Sequence, residues 1–155
     1  MNISNRIQIS GPFNRLFTMA SDIARWPDIL PHYRWVKILE RRYSPPELVA
    51  EMAARHKGIP LWWRTIQRPR PEEKRIEFSH IGGITKGMQV QWTFDESGET
   101  CLGPTWLVQI HHQFAPAWPP PGQWFADRIV CETFVAQVAA KTLNRIKHLM
   151  EGTPS

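Results

Sequence analysis

The sequence predicts an α+β domain in which an antiparallel sheet of about seven strands carries its helices on one side. Three observations lead there. From Leu48 to Phe114, five successive segments alternate between two kinds of residue with a period of two, the pattern of strands with one buried face. Ahead of them, Phe13, Leu16, Phe17, Ala20 and Ile23 recur at helical spacing, and behind them a proline-rich connector leads to a last amphipathic stretch with no strand pattern.

In chain order, Ile3, Ile7 and Ile9 mark a first strand from Asn2 to Ser10, its parity broken early. Ser10-Gly11-Pro12 is a helix start, with proline near the first helical position. Ser21-Asp22 divides the helical segment into two short helices, the second ending at Trp26-Pro27 or shortly after Asp28-Ile29-Leu30. Pro31-His32-Tyr33 leads into a strand from Arg34 to Tyr43, closed by Pro45-Pro46. The five alternating strands come next, with turns near Gly58, across 69–73, at Gly82-Gly83 and at Ser97-Gly98, and a loop at Cys101-Leu102-Gly103-Pro104 before the last. The connector Ala115-Pro116-Ala117-Trp118-Pro119-Pro120-Pro121-Gly122 is stiff and too short to separate domains, so residues 1–155 are expected to form a single domain. Beyond it, one long helix is expected to run to about Met150, with Val135, Val138, Ala139, Thr142, Ile146 and Leu149 on one face. Lys141, Asn144, Lys147, His148 and Glu151 fall largely on the other.

A chain of 155 residues with 42% hydrophobic content can bury one sizeable core but not two. It has no 18-residue apolar run, and its first residues lack the apolar stretch of a signal peptide, so a soluble cytoplasmic protein is expected. Two cysteines, Cys101 in a loop and Cys131 in a helix, imply free thiols rather than a disulfide framework. The net charge of +5 is spread over the strands rather than gathered in a basic stripe with exposed aromatics, so a nucleic-acid partner is not expected.

The alternation assigns faces. Leu48, Ala50, Met52, Ala54 and His56 oppose Glu51 and Arg55, while Leu61, Trp63, Thr65 and Gln67 oppose Trp62, Arg64, Ile66 and Arg68. Ile76, Phe78 and His80 oppose Arg75, Glu77 and Ser79. Met88, Val90, Trp92 and Phe94, and then Trp106, Val108, Ile110, His112 and Phe114, complete the inner face. It combines large apolar groups with His56, Thr65, Gln67, His80 and His112. Each buried polar group needs a partner or costs on the order of 1 to 3 kcal/mol. So many on one face point to a curved sheet around a ligand cavity rather than to a solid core.

The element order, the run Ala20-Ser21-Asp22-Ile23-Ala24-Arg25-Trp26-Pro27-Asp28-Ile29-Leu30-Pro31, the following Val36-Lys37-Ile38-Leu39-Glu40-Arg41 and the later Met88-x-Val90-x-Trp92-x-Phe94 resemble the START-like (SRPBCC, Bet v 1-like) superfamily. More narrowly, they resemble its polyketide cyclase/dehydrase and coenzyme Q-binding branch. The resemblance runs from Ile3 to about Met150 and implies a helix-grip fold, in which the sheet wraps around the long C-terminal helix and leaves a deep apolar cavity. It also implies a hydrophobic ligand, polyketide-like, aromatic or quinone.

For ring closure and dehydration of a poly-β-ketone, His56, His80 or His112 would move a proton, while Tyr33, Thr65 and Gln67 would hold ketone oxygens. Met52, Trp63, Phe78, Met88, Trp92, Trp106 and Val138 would wall the ligand. The aromatase/cyclase members of the family look to have Trp-x-Ser-x-Arg where this chain has Trp63-x-Thr65-x-Gln67, so their cavity cation is replaced by an amide. Three readings stay open: a cyclase-like protein, a non-enzymatic quinone or lipid carrier, and a ribosome- or RNA-interacting module. No cofactor is expected. No metal is expected either, because no HxH pair or carboxylate shares the inward parity. Trp118, Trp124 and Phe125 are expected to staple the helix to the sheet; exposed instead, they would rim the cavity and allow transient membrane contact.

Overall fold

A computed structural model describes residues 2–83, 85–114 and 134–152. The elements are β1 (Asn2–Ser10), α1 (Phe13–Ser21), a 3₁₀ turn (Ile23–Arg25), α2 (Trp26–Ile29), then β2 (Tyr33–Tyr43), β3 (Pro46–His56), β4 (Ile59–Arg70), β5 (Arg75–Gly83), β6 (Gln89–Thr100), β7 (Gly103–Gln113) and α3 (Ala136–Glu151). A further 3₁₀ turn, Pro71–Glu73, joins β4 to β5. The strands form one seven-stranded antiparallel sheet in the order β1-β7-β6-β5-β4-β3-β2, so a single long-range pairing, β1 with β7, joins the start of the chain to the end of the sheet. This is the expected α+β helix-grip fold, with α3 lying in the curve of the sheet.

The inward parity of the strands is realised: Leu48, Ala50, Met52, Trp63, Ile76, Phe78, Met88, Val90, Trp92, Phe94, Trp106, Val108 and Ile110 are buried together with a stripe of α3. That stripe is Val138, Ala139, Thr142, Leu143, Ile146 and Met150. Leu149, expected on it, is only half-buried. The true 3.6-residue period carries the contact from Leu143 and Ile146 to Met150, leaving Leu149 on the flank. The stretch of long helix expected ahead of Phe134, together with Trp118, Trp124, Phe125 and Cys131, lies outside the described residues.

Polar clasps fix the helix to the otherwise unpaired edge of β1. The Ser10 amide donates to the Glu151 carboxylate at 3.0 Å, Lys147 Nζ donates to the Gln8 carbonyl at 2.6 Å and Asn5 Nδ2 donates to the Ala136 carbonyl at 3.2 Å. With its Gln8 carbonyl and Ser10 amide taken up in this way, the edge strand has less to offer another chain.

Bulges in β5 and β6 shape the sheet. On β6, Glu96 pairs with Trp106 and Gly98 with Thr105, so Ser97 is an extra residue. The turn expected at Ser97-Gly98 is therefore a bulge, and the reversal comes at Cys101 and Leu102, between Thr100 and Gly103. A Ser-Gly pair carries the same local signal in either role. On β5, Arg64 pairs with Gly82 and Thr65 with His80, which makes Ile81 the extra residue and sets Gly83 opposite Trp63. Gly83 has φ +85°, and a Cβ there would lie 2.5 Å from the Trp62 carbonyl oxygen, so only glycine fits. The bulge turns the chain after Gly83 inward and delivers Thr85 and Met88 to the interior.

The packing yields a quantitative expectation. Ile146→Ala, at a fully buried position, should destabilise by about 2 to 5 kcal/mol, whereas Leu149→Ala should cost about 1 kcal/mol or less. Urea unfolding of the two variants checks this, and equal losses would contradict the assigned helix face.

Candidate functional site

Between sheet and helix lies a cavity of about 70 Å³. Its wall is built from four sources. The sheet supplies Met52, Trp63, Phe78, His80, Val90, Trp92, Ile110 and His112; α2 and the start of β2 supply Trp26 and Tyr33; the turn after β5 supplies Thr85 and Met88; and the helical end supplies Phe134, Val135, Val138, Ala139 and Thr142. Aromatic contacts hold the wall. Trp26 packs against Tyr33 at 5.0 Å and Trp92 at 6.0 Å, and the Trp63 ring stacks on His80 at 5.7 Å with planes 5° apart. The Trp26 indole N–H is held outside the cavity by the Met19 carbonyl, so the ring presents its apolar body inward.

Among the described residues, the polar groups on this wall are His80, His112, Thr85, Thr142 and the Tyr33 phenol. His80 Nδ1 lies 2.7 Å from the Thr85 hydroxyl. Burial, and then the charge His112 would carry, pull the His80 pKa down to about 3. Burial, and then His111, pull His112 down to about 4. His112 Nδ1 is buried with no hydrogen-bond partner among the described residues. On the helical side, the Thr142 hydroxyl donates to the Val138 carbonyl at 2.8 Å and lies 2.9 Å from His32 Nε2. The Tyr33 phenol shares the same threonine, and burial pushes its pKa up. The arrangement is an apolar slot whose wall includes His112, an imidazole with one nitrogen unpartnered among the described residues.

Of the residues expected at the site, Tyr33, Met52, Trp63, Phe78, His80, Met88, Trp92, His112 and Val138 meet on this wall. Four do not. Thr65 is buried, but its hydroxyl donates to the Ser79 carbonyl. Gln67 Nε2 donates to the Ser21 carbonyl at 2.8 Å and ties the end of α1 to the sheet. The Trp106 indole N–H donates to the Gly11 carbonyl, and its ring packs on Phe13 at 5.0 Å. His56 sits at the far end of β3 with Nδ1 3.0 Å from Lys141 Nζ. Parity placed all four on the inner face correctly, but that face extends well past the cavity. Sequence reasoning did not select Trp26, Thr85 or Thr142 for the site. The Trp26-Pro27 pair and the inward helix face were available signals for two of them, while Thr85 lies in a turn with no period.

The match to known proteins is consistent with this geometry. The family model described as polyketide cyclase / dehydrase and lipid transport matches residues 9–142. The chain belongs to this family. Among solved structures it is similar to TTHA0849 from Thermus thermophilus, with TM-score 0.76, 14% identity and all of both chains covered. It is also similar to the ZhuI aromatase/cyclase from Streptomyces sp. R1128, with TM-score 0.71, 15% identity, and 96% of this chain and 95% of that one covered. Ginseng major latex-like protein 151 from Panax ginseng follows the same fold, with TM-score 0.67, 11% identity and 97% of each chain covered. The search of curated proteins found no significant match. Among the described residues, no helix is long and apolar enough to cross a membrane.

The site generates two expectations. Gln67→Ala should cost about 2 kcal/mol of stability, because the Ser21 carbonyl loses its donor and a void opens, and it should leave ligand affinity nearly unchanged. Urea unfolding with parallel ligand titration checks both halves. The buried histidines also make stability pH-dependent. Their folded pKa values lie below the unfolded 6.5, so the unfolded chain binds the protons that the folded one refuses. The stability is fully present above pH 6.5 and is lost as pH falls toward 4 and then 3, by up to about 1.4 kcal/mol per histidine and pH unit. Unfolding free energies measured from pH 7 to pH 5 should fall in this way, and His80→Asn should flatten the slope.

Proposed function

We propose that this protein binds a hydrophobic small molecule carrying a carbonyl or quinone oxygen in the interior cavity. The observation that carries the reading is His112: it lines an apolar aromatic slot, and its buried Nδ1 has no partner among the described residues, which leaves it free to take one polar atom of an otherwise apolar guest. Family membership supports it, and so does the fold shared with an aromatase/cyclase. The cavity is small beside the several hundred cubic ångströms that drug-sized ligands occupy. Guests larger than one or two rings require Met52 and Met88, which line it, to repack, and methionine is the side chain best suited to that.

Whether binding is accompanied by cyclisation turns on proton transfer. A general base works best with a pKa near the operating pH, and His80 and His112 are held far below it. Gln67 and Thr65, the groups that replace the expected cationic motif, are both engaged with backbone carbonyls. These two observations favour a second reading, a carrier of a quinone or lipid that shapes and shields its guest without turning it over.

Titration with a bicyclic aromatic ketone should change the tryptophan emission, since Trp26, Trp63 and Trp92 all line the cavity. His112→Phe should weaken that ketone by about five- to thirtyfold while leaving its hydrocarbon analogue unaffected. No emission change with ketones, quinones or fatty acids would overturn the binding reading. The same protein incubated with a poly-β-ketone separates the two readings: an altered product pattern identifies a cyclase, and an unaltered pattern despite binding identifies a carrier.

A further inference from the structure

A second concavity lies outside the cavity, where the β3–β4 hairpin, the segment before β2 and α3 meet. It has a volume of about 620 Å³ and is lined by Pro31, His32, Arg55, Lys57, Gly58, Lys141, Asn144, Arg145 and His148. Four of these are permanent cations and none is a carboxylate. On the outer sheet face, by contrast, Arg42, Arg64, Arg68 and Arg75 are each paired with a glutamate. Among the described residues, neither Arg55, Lys57, Lys141 nor Arg145 has such a partner.

Two of the cations are positioned in advance. Arg145 Nε donates to the Ile29 carbonyl at 3.1 Å, which orients the guanidinium and leaves its terminal nitrogens to form a fork. Lys141 Nζ is steadied by His56 Nδ1 at 3.0 Å. Lys57 is presented by a two-residue hairpin in which both Lys57 (φ +50°) and Gly58 (φ +77°) are left-handed, a conformation disfavoured for lysine. The field of the cluster is felt by its neighbours: after burial, Lys141 is the next cause holding His32 down to about 4, and Lys141 and then Lys57 act in the same direction on His56. His56 Nε2 is itself buried and without a partner among the described residues.

We infer that this groove is an anion site for a phosphate ester, with Arg145 and Lys141 as the fixed donors and Arg55 and Lys57 closing over the charge from the hairpin. The uncompensated charge, the concave shape and the preset guanidinium fork match a doubly charged tetrahedral group better than a diffuse acidic surface. The phosphate belongs either to a soluble phosphorylated compound or to a lipid headgroup, and both present the same oxygens. The inference is independent of the cavity reading, because the His32–Thr142 contact stands between the two sites.

Calorimetric titration with inorganic pyrophosphate at low ionic strength should show saturable binding that equal ionic strength of sodium chloride does not reproduce. Arg145→Gln should weaken it about tenfold or more. Arg55→Gln combined with Lys57→Gln, which breaks no side-chain hydrogen bond among those described, should weaken it comparably with an unchanged melting temperature. Arg42→Gln, on the ion-paired face, should change nothing. Sedimentation with phosphatidic acid vesicles that is competed by pyrophosphate would assign the phosphate to a headgroup, and pyrophosphate binding without sedimentation would assign it to a soluble ester. Absence of saturable binding, or binding that the hairpin double variant and Arg145→Gln both retain in full, would overturn the site. A fluorescence titration with the aromatic ketone is unaffected by either result, so failure here and failure of the cavity reading are distinguishable.

Discussion

The burial of one stripe of α3 against the concave face of the sheet is the interaction on which the other features depend. Val138, Ala139, Thr142, Leu143, Ile146 and Met150 cover side chains that the strands point inward, and without them that apolar face would lie open to water. Burying a single large aliphatic side chain stabilises by roughly 1.5 to 3 kcal/mol, so the stripe outweighs any one of the polar clasps along β1. Those clasps do something different. The Glu151, Lys147 and Asn5 contacts fix where along β1 the helix sits, and so fix which of its residues face the cavity.

The same closure sets the electrostatics. Where α3 covers the sheet, histidines lose water and become neutral, as His80 and His112 do. On its opposite, polar side α3 brings Lys141 and Arg145 beside Arg55 and Lys57 of the β3–β4 hairpin, and none of the four has a carboxylate partner among the described residues. One helix thus divides a dry neutral interior from a wet cationic groove, with Thr142 and His32 between them. The α2 segment completes the division: Trp26 faces the cavity, while the Ile29 carbonyl one turn later orients Arg145 on the other side.

The bulge at Ile81 has an effect out of proportion to its size. By setting Gly83 opposite Trp63 it brings the following turn over the end of the cavity, where Thr85 takes up one nitrogen of His80. His112, two strands away, receives no such partner among the described residues. The bulge in β5 thus precedes the turn that brings a hydroxyl to His80.

The sequence by itself determined the strand succession, the inward faces and the family, because a period-two pattern that persists over five strands admits one buried face. It also determined that the inner face carries Thr65, Gln67, His56, His80 and His112. Only the tertiary structure decided which of these face a cavity. Gln67 and Thr65 found carbonyls on neighbouring elements, at Ser21 and Ser79, and a hydrogen bond between residues 46 or 14 positions apart leaves no local trace in the sequence. Periodicity likewise could not distinguish a bulge from a turn at Ser97-Gly98, since both need the same backbone freedom at glycine, and it could not show that four scattered cations converge, since their meeting depends on how a helix crosses a hairpin.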